Sequence, residues 1–256
     1  MEDKKIEQQR YNNVATSFLI NIEKEKDLLL ELGTDNSPLY LQPPYLYYHN
    51  LINQKAIQST KQLDLCCGNG THSFTGAKNG AKVIALDYAE QSIIVCKKRA
   101  ERLKLNVDFK VADVQTLKNF DDEEFDVVTC AGSLSYLDNV VFFNEVYRVL
   151  KSGGMFICVD SFNHNPIYRL NRFVHYLRGN RSYMTLKRMP NKNTIKLLKH
   201  IFLNVDVKYF GIFSFMAPLL MLFISSNNTT KLISKLDVFF PYLKNYSFKI
   251  VFYATK

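Results

Sequence analysis

Five short apolar runs, each followed by a helix-periodic or polar stretch, limit what this chain can fold into more than any other feature. They lie at 62–66 (QLDLC), 82–87 (KVIALD), 107–111 (VDFKV), 125–130 (FDVVTC) and 155–160 (MFICVD). Runs this short and this apolar suit strands covered on both faces. Between them, Ile93, Cys96, Ala100 and Leu103 make one helical stripe, and Phe143, Val146, Tyr147 and Leu150 make another. Ser152-Gly153-Gly154 is expected to end the second helix. The alternation predicts a doubly wound α/β sheet, largely parallel. In such sheets ligands bind beyond the carboxyl ends of the strands, so the residues that end each run carry the information.

Ahead of the first run, 6–32 reads as one or two amphipathic helices, 33–44 as a loop and 46–53 as a short helix. The N-terminus (MEDKKIEQQR) has no apolar signal-peptide core and no run of 18 uninterrupted apolar residues occurs, which predicts a cytoplasmic protein. Five cysteines, an odd count with two adjacent and most in apolar runs, predict reduced buried thiols. Cys66-Cys67 has neither the spacing nor the histidines of a zinc site, so no metal is expected.

Charge divides the chain. From Ser161 onward 15 Lys and Arg face two acids, Asp206 and Asp237, a formal +13, whereas the first 160 residues hold 18 bases and 22 acids, a formal −4. The second part is where an anionic partner or surface should be met.

The first run ends in Asp64-Leu65-Cys66-Cys67-Gly68-Asn69-Gly70-Thr71, where Gly68 and Gly70 allow close approach of a ligand. The second ends in Asp87, followed by Tyr88, where an acid can accept from a ribose diol. The third runs into Asp113-Val114, placed for an adenine amino group, and the fourth into Ala131-Gly132-Ser133, small residues suited to a ligand floor. Asp64 is a candidate for an ammonium group. A dinucleotide fingerprint fails, because Ser73 stands at the third glycine position.

Over 61–161 the chain resembles the class I S-adenosylmethionine-dependent methyltransferases. LDLCCGNG matches that family's acid-x-Gly-x-Gly-x-Gly loop at Asp64, Gly68 and Gly70, with Cys66 where the first glycine usually stands. The resemblance implies a seven-stranded Rossmann-like sheet, with 205–209 and 249–255 as an antiparallel edge pair. It implies S-adenosyl-L-methionine as cofactor, held by Asp64, Cys66, Gly68, Gly70, Asp87, Tyr88, Asp113, Val114 and Ala131. The whole of 1–256 is then one domain. Its parts are a helical N-terminal lid (1–55), a cofactor core (61–161), a basic acceptor-side insertion (162–204) and edge strands with an apolar insertion (205–256).

Methyl transfer to a hydroxyl is helped by a base. His164, just past the fifth strand, and His175, in an Arg-rich stretch, are the candidates. Tyr136, Arg169, Arg172, Arg178 and Arg181 are the candidate acceptor-binding residues, because arginine forks suit phosphates and carboxylates. The expected acceptor is an anionic small molecule or glycan, such as a phosphate-linked sugar. An RNA methyltransferase and a non-catalytic nucleotide-binding scaffold are the alternatives. RNA is disfavoured because Ala131-Gly132-Ser133-Leu134 stands where an amino-methylation signature would lie. The apolar stretch 210–224, broken by Gly211 and Pro218, is too short to span a bilayer. Core packing or a homodimer contact is its first expected role, and a peripheral membrane anchor its second.

Overall fold

All seven strands form one sheet in the order β3-β2-β1-β4-β5-β7-β6. The structure, a computed structural model, describes residues 2–24, 38–179 and 182–256. The strands are β1 (Lys61–Leu65), β2 (Lys82–Asp87), β3 (Val107–Val111), β4 (Phe125–Ala131), β5 (Leu150–Ser161), β6 (Asn204–Phe210) and β7 (Lys249–Thr255). Pairings from β3 across to β5 are parallel, and β7 runs antiparallel to both β5 and β6. The sheet is therefore mixed, with β7 alone reversed.

Side-chain alternation along the central strands explains why the sheet needs cover on both faces. Phe156 and Cys158 of β5, with Ile250, Phe252 and Ala254 of β7, face one core, and Ile157, Val159 and Val251 face the other. The helices are α1 (Glu2–Lys24), α2 (Pro43–Lys55), α3 (Thr71–Lys78), α4 (Glu90–Leu103), α5 (Asn139–Val149), α6 (Pro166–Leu177), α7 (Tyr183–Lys187), α8 (Lys192–Ile201), α9 (Ala217–Leu220) and α10 (Ser226–Phe239). The first core takes Phe142, Phe143 and Val146 of α5 and Leu198 of α8; the second takes Tyr48, Leu51 and Ile52 of α2.

Several sequence expectations are corrected. The helix of 46–53 starts earlier, at Pro43, because proline is tolerated in a first helical turn where no amide bond is lost. That helix packs on the sheet, so of the expected lid 1–55 only α1 acts as a cover among the described residues. Residues 25–37 of the expected helix and loop lie outside the described residues. Ser152-Gly153-Gly154 does not end α5: the helix stops at Val149, and the three residues bend inside β5, with Gly153 at φ 74° donating its amide to Lys256 O. Of the expected acceptor-side insertion 162–204, α8 belongs to the core, because Ile195, Leu198 and Phe202 bury it against α5 and the sheet.

The apolar stretch 210–224 is core only in part. Ile212 and Ala217 are buried, but Leu219, Leu222 and Phe223 are 60%, 74% and 80% exposed. No described helix is long and apolar enough to cross a membrane. All five cysteines are free thiols.

Candidate active site

The turn between β1 and α3 visits the left-handed region at alternate residues: Cys66 at φ 57°, Gly68 at 55° and Gly70 at 81°. The two glycines serve different ends. A Cβ on Gly68 would meet nothing within 4 Å and would project into open space, whereas on Gly70 it would meet Cys96 Sγ and the Phe74 ring at 3.0 Å. Cys66 carries a side chain in a conformation that costs a non-glycine residue about 1–2 kcal/mol, which accounts physically for the glycine usual at that place in the family.

Two groups from α4 fasten the turn from below. Cys96 Sγ donates to Gly68 O at 3.1 Å, and the buried Arg99 donates from Nη1 to Asn69 O at 2.6 Å and Thr71 Oγ1 at 2.9 Å. With its carbonyls held this way, the Gly68 amide reaches across to Asp87 Oδ2 at 2.8 Å.

The acids at the strand ends divide by position. Asp87 also accepts from the Ala89 amide at Oδ1, and burial raises its carboxyl against the pull of these amide bonds. Asp113 accepts from the Gln115 amide at 3.0 Å. Both line a cavity of about 250 Å³, together with Cys66, Gly68, Tyr88, Val114 and Ala131. Asp64 does not reach it, which corrects its expected contact with an ammonium group. Its carboxylate is buried behind the turn, accepting from Ser73 Oγ at 2.5 Å and Thr129 Oγ1 at 2.7 Å, and burial pushes it up to about 6. Gly70 likewise supports the turn without lining the cavity.

The far wall comes from distant segments that strand patterns do not reveal. Helix α1 contributes Glu7, Gln8 and Tyr11, the loop after β4 contributes Ser133, Ser135, Tyr136 and Leu137, and the α7 region contributes Ser182, Met184, Thr185 and Arg188. Tyr11 OH donates to Tyr136 OH at 3.0 Å, and Thr185 Oγ1 donates to Glu7 Oε1 at 3.1 Å, so the cover is latched to both other parts. Among the described residues no carboxylate pairs with the Arg188 guanidinium.

His72, on the first turn of α3, is the histidine that lines this cavity. Its Nδ1 lies 3.1 Å from His49 Nε2, and His49 Nδ1 lies 2.7 Å from Thr75 Oγ1. Burial, the neighbouring imidazole, Arg99 and Lys249 push His72 down to about 3, and burial with Lys78 pushes His49 down to about 4. Both rings are therefore neutral at ordinary pH.

The histidines and arginines expected to act lie elsewhere, and only Tyr136 of the expected acceptor residues lines the cavity. His164 Nε2 accepts the Lys192 amide at 3.1 Å, fixing the start of α8. His175 lines a shallow cleft beneath α1 with Arg10 and Gly179. Arg172 is buried and donates from Nη1 to Phe162 O at 3.1 Å and Asn163 Oδ1 at 3.0 Å, tying α6 to the end of β5. Arg169 and Arg178 are exposed and outside the cavity wall. The reason is shared: on α6 it is Tyr168 and Arg172 that turn inward, so the basic spacing read along the helix does not converge on one face. Arg181 lies outside the described residues.

This strand order with one reversed strand and flanking helices is a Rossmann-like methyltransferase fold. Residues 63–154 match the family described as "Methyltransferase domain". Demethylmenaquinone methyltransferase of Lactococcus lactis subsp. lactis is 35% identical over 113 residues, covering 42% of this chain and 44% of that protein. The ubiquinone biosynthesis O-methyltransferase of Pelagibacter ubique is 35% identical over 107 residues, covering 41% and 44%. The chain thus spans less than half the length of these relatives. Among solved structures, geranyl diphosphate C-methyltransferase of Streptomyces coelicolor superposes with a TM-score of 0.58 at 13% identity, covering 82% of this chain and 78% of that one. Phosphoethanolamine N-methyltransferase 2 of Haemonchus contortus gives 0.57 at 18% identity, covering 82% and 52%.

Proposed function

We propose that this chain binds S-adenosylmethionine in the cavity beyond β1, β2 and β4 and methylates a small-molecule acceptor with a flat apolar ring. The observation that carries the reading is the Gly68 turn. Its Cβ position is open to the cavity, its amide is tied to Asp87, and Asp113 lies along the same wall. The residues present fit the cofactor.

Asp87 accepts amide bonds from Gly68 at Oδ2 and Ala89 at Oδ1, with the Tyr88 amide also acting on it, and a carboxylate has acceptor sites left for a ribose hydroxyl. Asp113 offers an acceptor for the adenine amino group, and Val114 an apolar contact for the ring. When bound, the cofactor supplies an electrophilic methyl group on sulfur. The protein's share of the chemistry is then mainly orientation, which can lower a barrier by roughly 7–11 kcal/mol. Tyr11, Tyr136 and α1 exclude water from that geometry. His72, neutral and braced through His49 and Thr75, can accept a hydrogen bond from an acceptor hydroxyl; it takes the place first given to His164 and His175. Held so low, it orients a hydroxyl better than it removes its proton.

Support for the acceptor class comes from the wall of Tyr11, Tyr136, Leu137 and Met184, with Arg188 as the one cation on that side. The two relatives above act, by their names, in quinone methylation, and neither name carries a sugar. An apolar ring with an acidic or hydroxyl substituent suits these walls better than a phosphate-linked sugar.

Exposed apolar side chains favour delivery of such an acceptor at a lipid surface. Leu170 and Leu177 of α6, Leu222 and Phe223 after α9, and Val238 and Phe239 of α10 are all 65% exposed or more, in the part of the chain with the formal +13 charge. This composition fits an interfacial contact with anionic lipid.

The test of the cofactor reading is calorimetric titration of S-adenosylhomocysteine into the wild type and Asp87→Ala. Loss of charge-assisted hydrogen bonds worth about 1.5–3 kcal/mol each should weaken binding roughly a hundredfold. Unchanged affinity in a folded variant would overturn it.

A further inference from the structure

A second cavity, of about 210 Å³, opens beyond the ends of β6 and β7 and is separate from the one described above. It lies under α10 and the Tyr40–Pro44 segment, and its walls include the rings of Tyr209, Phe210 and Phe248 with Leu41, Ile233 and Val238. In this apolar surround stands Lys249, the first residue of β7, only 9% exposed. Its ammonium makes no hydrogen bond and no ion pair within 4 Å of a carboxylate among the described residues. It rests 5.0 Å from the Tyr45 ring centroid and 5.7 Å from that of Phe248.

Nine-tenths of this residue is out of water while the ammonium itself keeps some exposure, so the charge is left to the solvent of the cavity and to cation–π contacts that replace only part of its hydration. The charge that Lys249 feels from the buried Asp160 acts at longer range, and Asp160 is already bonded by the amides of Leu134 and Ser161. The carboxylate that does line the cavity, Asp237, has both oxygens engaged by the amides of Gly211 and Ile212, at 2.6 and 2.9 Å. Lys208, exposed and 4.3 Å from the Tyr47 ring centroid, adds a second cation to the lining.

We infer that this cavity is a binding site for a small amphiphilic anion, a carboxylate or phosphate monoester on a short apolar tail, with the head on Lys249 and the tail against the aromatic wall. Its volume lies below the roughly 300–1,000 Å³ usual for drug-sized ligands, so the tail is short. The site does not depend on the methyltransferase reading. It nonetheless has a physical link to the first cavity, since Tyr45, beneath the Lys249 ammonium, stacks on His72 with centroids 6.0 Å apart and planes within 2°.

Calorimetric titrations with hexanoate, hexyl phosphate and hexanol test the assignment. The wild type should bind one or both anions at least tenfold more tightly than hexanol, and the preferred head tells carboxylate from phosphate. Lys249→Met should weaken the anion at least tenfold while leaving hexanol unchanged. Ser234→Trp, at an exposed position on the cavity wall, should abolish binding of anion and alcohol alike and retain S-adenosylhomocysteine binding as a check on folding; it carries the test alone if Lys249→Met does not fold. Failure of both anions to bind, equal affinity for hexanol, or anion binding unaffected by the folded variants would overturn the inference.

Discussion

The cofactor half and the half that follows it solve different problems with different means. From β1 to β5 the polar groups at the ligand edge are tied down in pairs: Gly68 to Asp87, Arg99 to Asn69, His72 to His49. From α6 to α10 the surface instead carries exposed leucines, phenylalanines and cations with few acids to meet them. The first half satisfies its polar groups by its own contacts, and the second leaves apolar side chains in solvent. An internal site must be rigid before its ligand arrives, whereas a docking face is completed only by what it touches.

This contrast can be broken first by acid. The unfolded chain protonates its histidines near 6.5, but the folded chain keeps His49 neutral to about 4 and His72 to about 3. The unfolded state then holds more protons in that window, so stability falls as pH drops from about 6.5 to 4, by about 3 kcal/mol from His49 alone. Asp64, held up at about 6, works the other way, because the folded form retains a proton that the unfolded form loses. Denaturant titrations at pH 7 and pH 4 should show a net loss of stability. In His49→Gln/His72→Gln the sign should reverse and follow Asp64.

Two arginines sharpen the comparison next. Arg172→Met removes buried hydrogen bonds to Phe162 O and Asn163 and should cost about 2 kcal/mol in a denaturation curve. Arg188→Met should leave that curve within about 0.5 kcal/mol, and with an acidic acceptor its effect should fall on KM. A smaller effect is expected at the apolar face. Leu222→Glu/Phe223→Glu should weaken flotation with anionic liposomes about tenfold, since each side chain contributes only in part to an interface, and should not change S-adenosylhomocysteine affinity. A drop in dimer content in place of lost flotation would assign the face to a second copy of the chain. The smallest change is Cys66→Gly: relief of the left-handed strain and loss of side-chain packing nearly cancel, leaving a stability shift below about 1 kcal/mol.

Strand positions were legible because a buried strand must be a short apolar run. The runs at 82–87, 107–111 and 249–255 coincide with β2, β3 and β7. The acids that end β2 and β3 could be read for the same reason, since strand ends are where apolar character stops. What could not be read are contacts made by topology. Tyr11 and Tyr136 are 125 residues apart, and nothing in the local pattern of α1 or the β4 loop announces their bond. His72 follows the glycine turn directly, but nothing local marks it until α2 brings His49 against it. Arg172 shows the converse, a regular basic spacing whose member turns inward because α6 packs on that side.

The bond between Tyr11 and Tyr136 closes a loop of 125 residues. Its entropic cost is offset only where the intervening strands are already paired, which ties the integrity of this part of the cavity wall to that of the whole sheet.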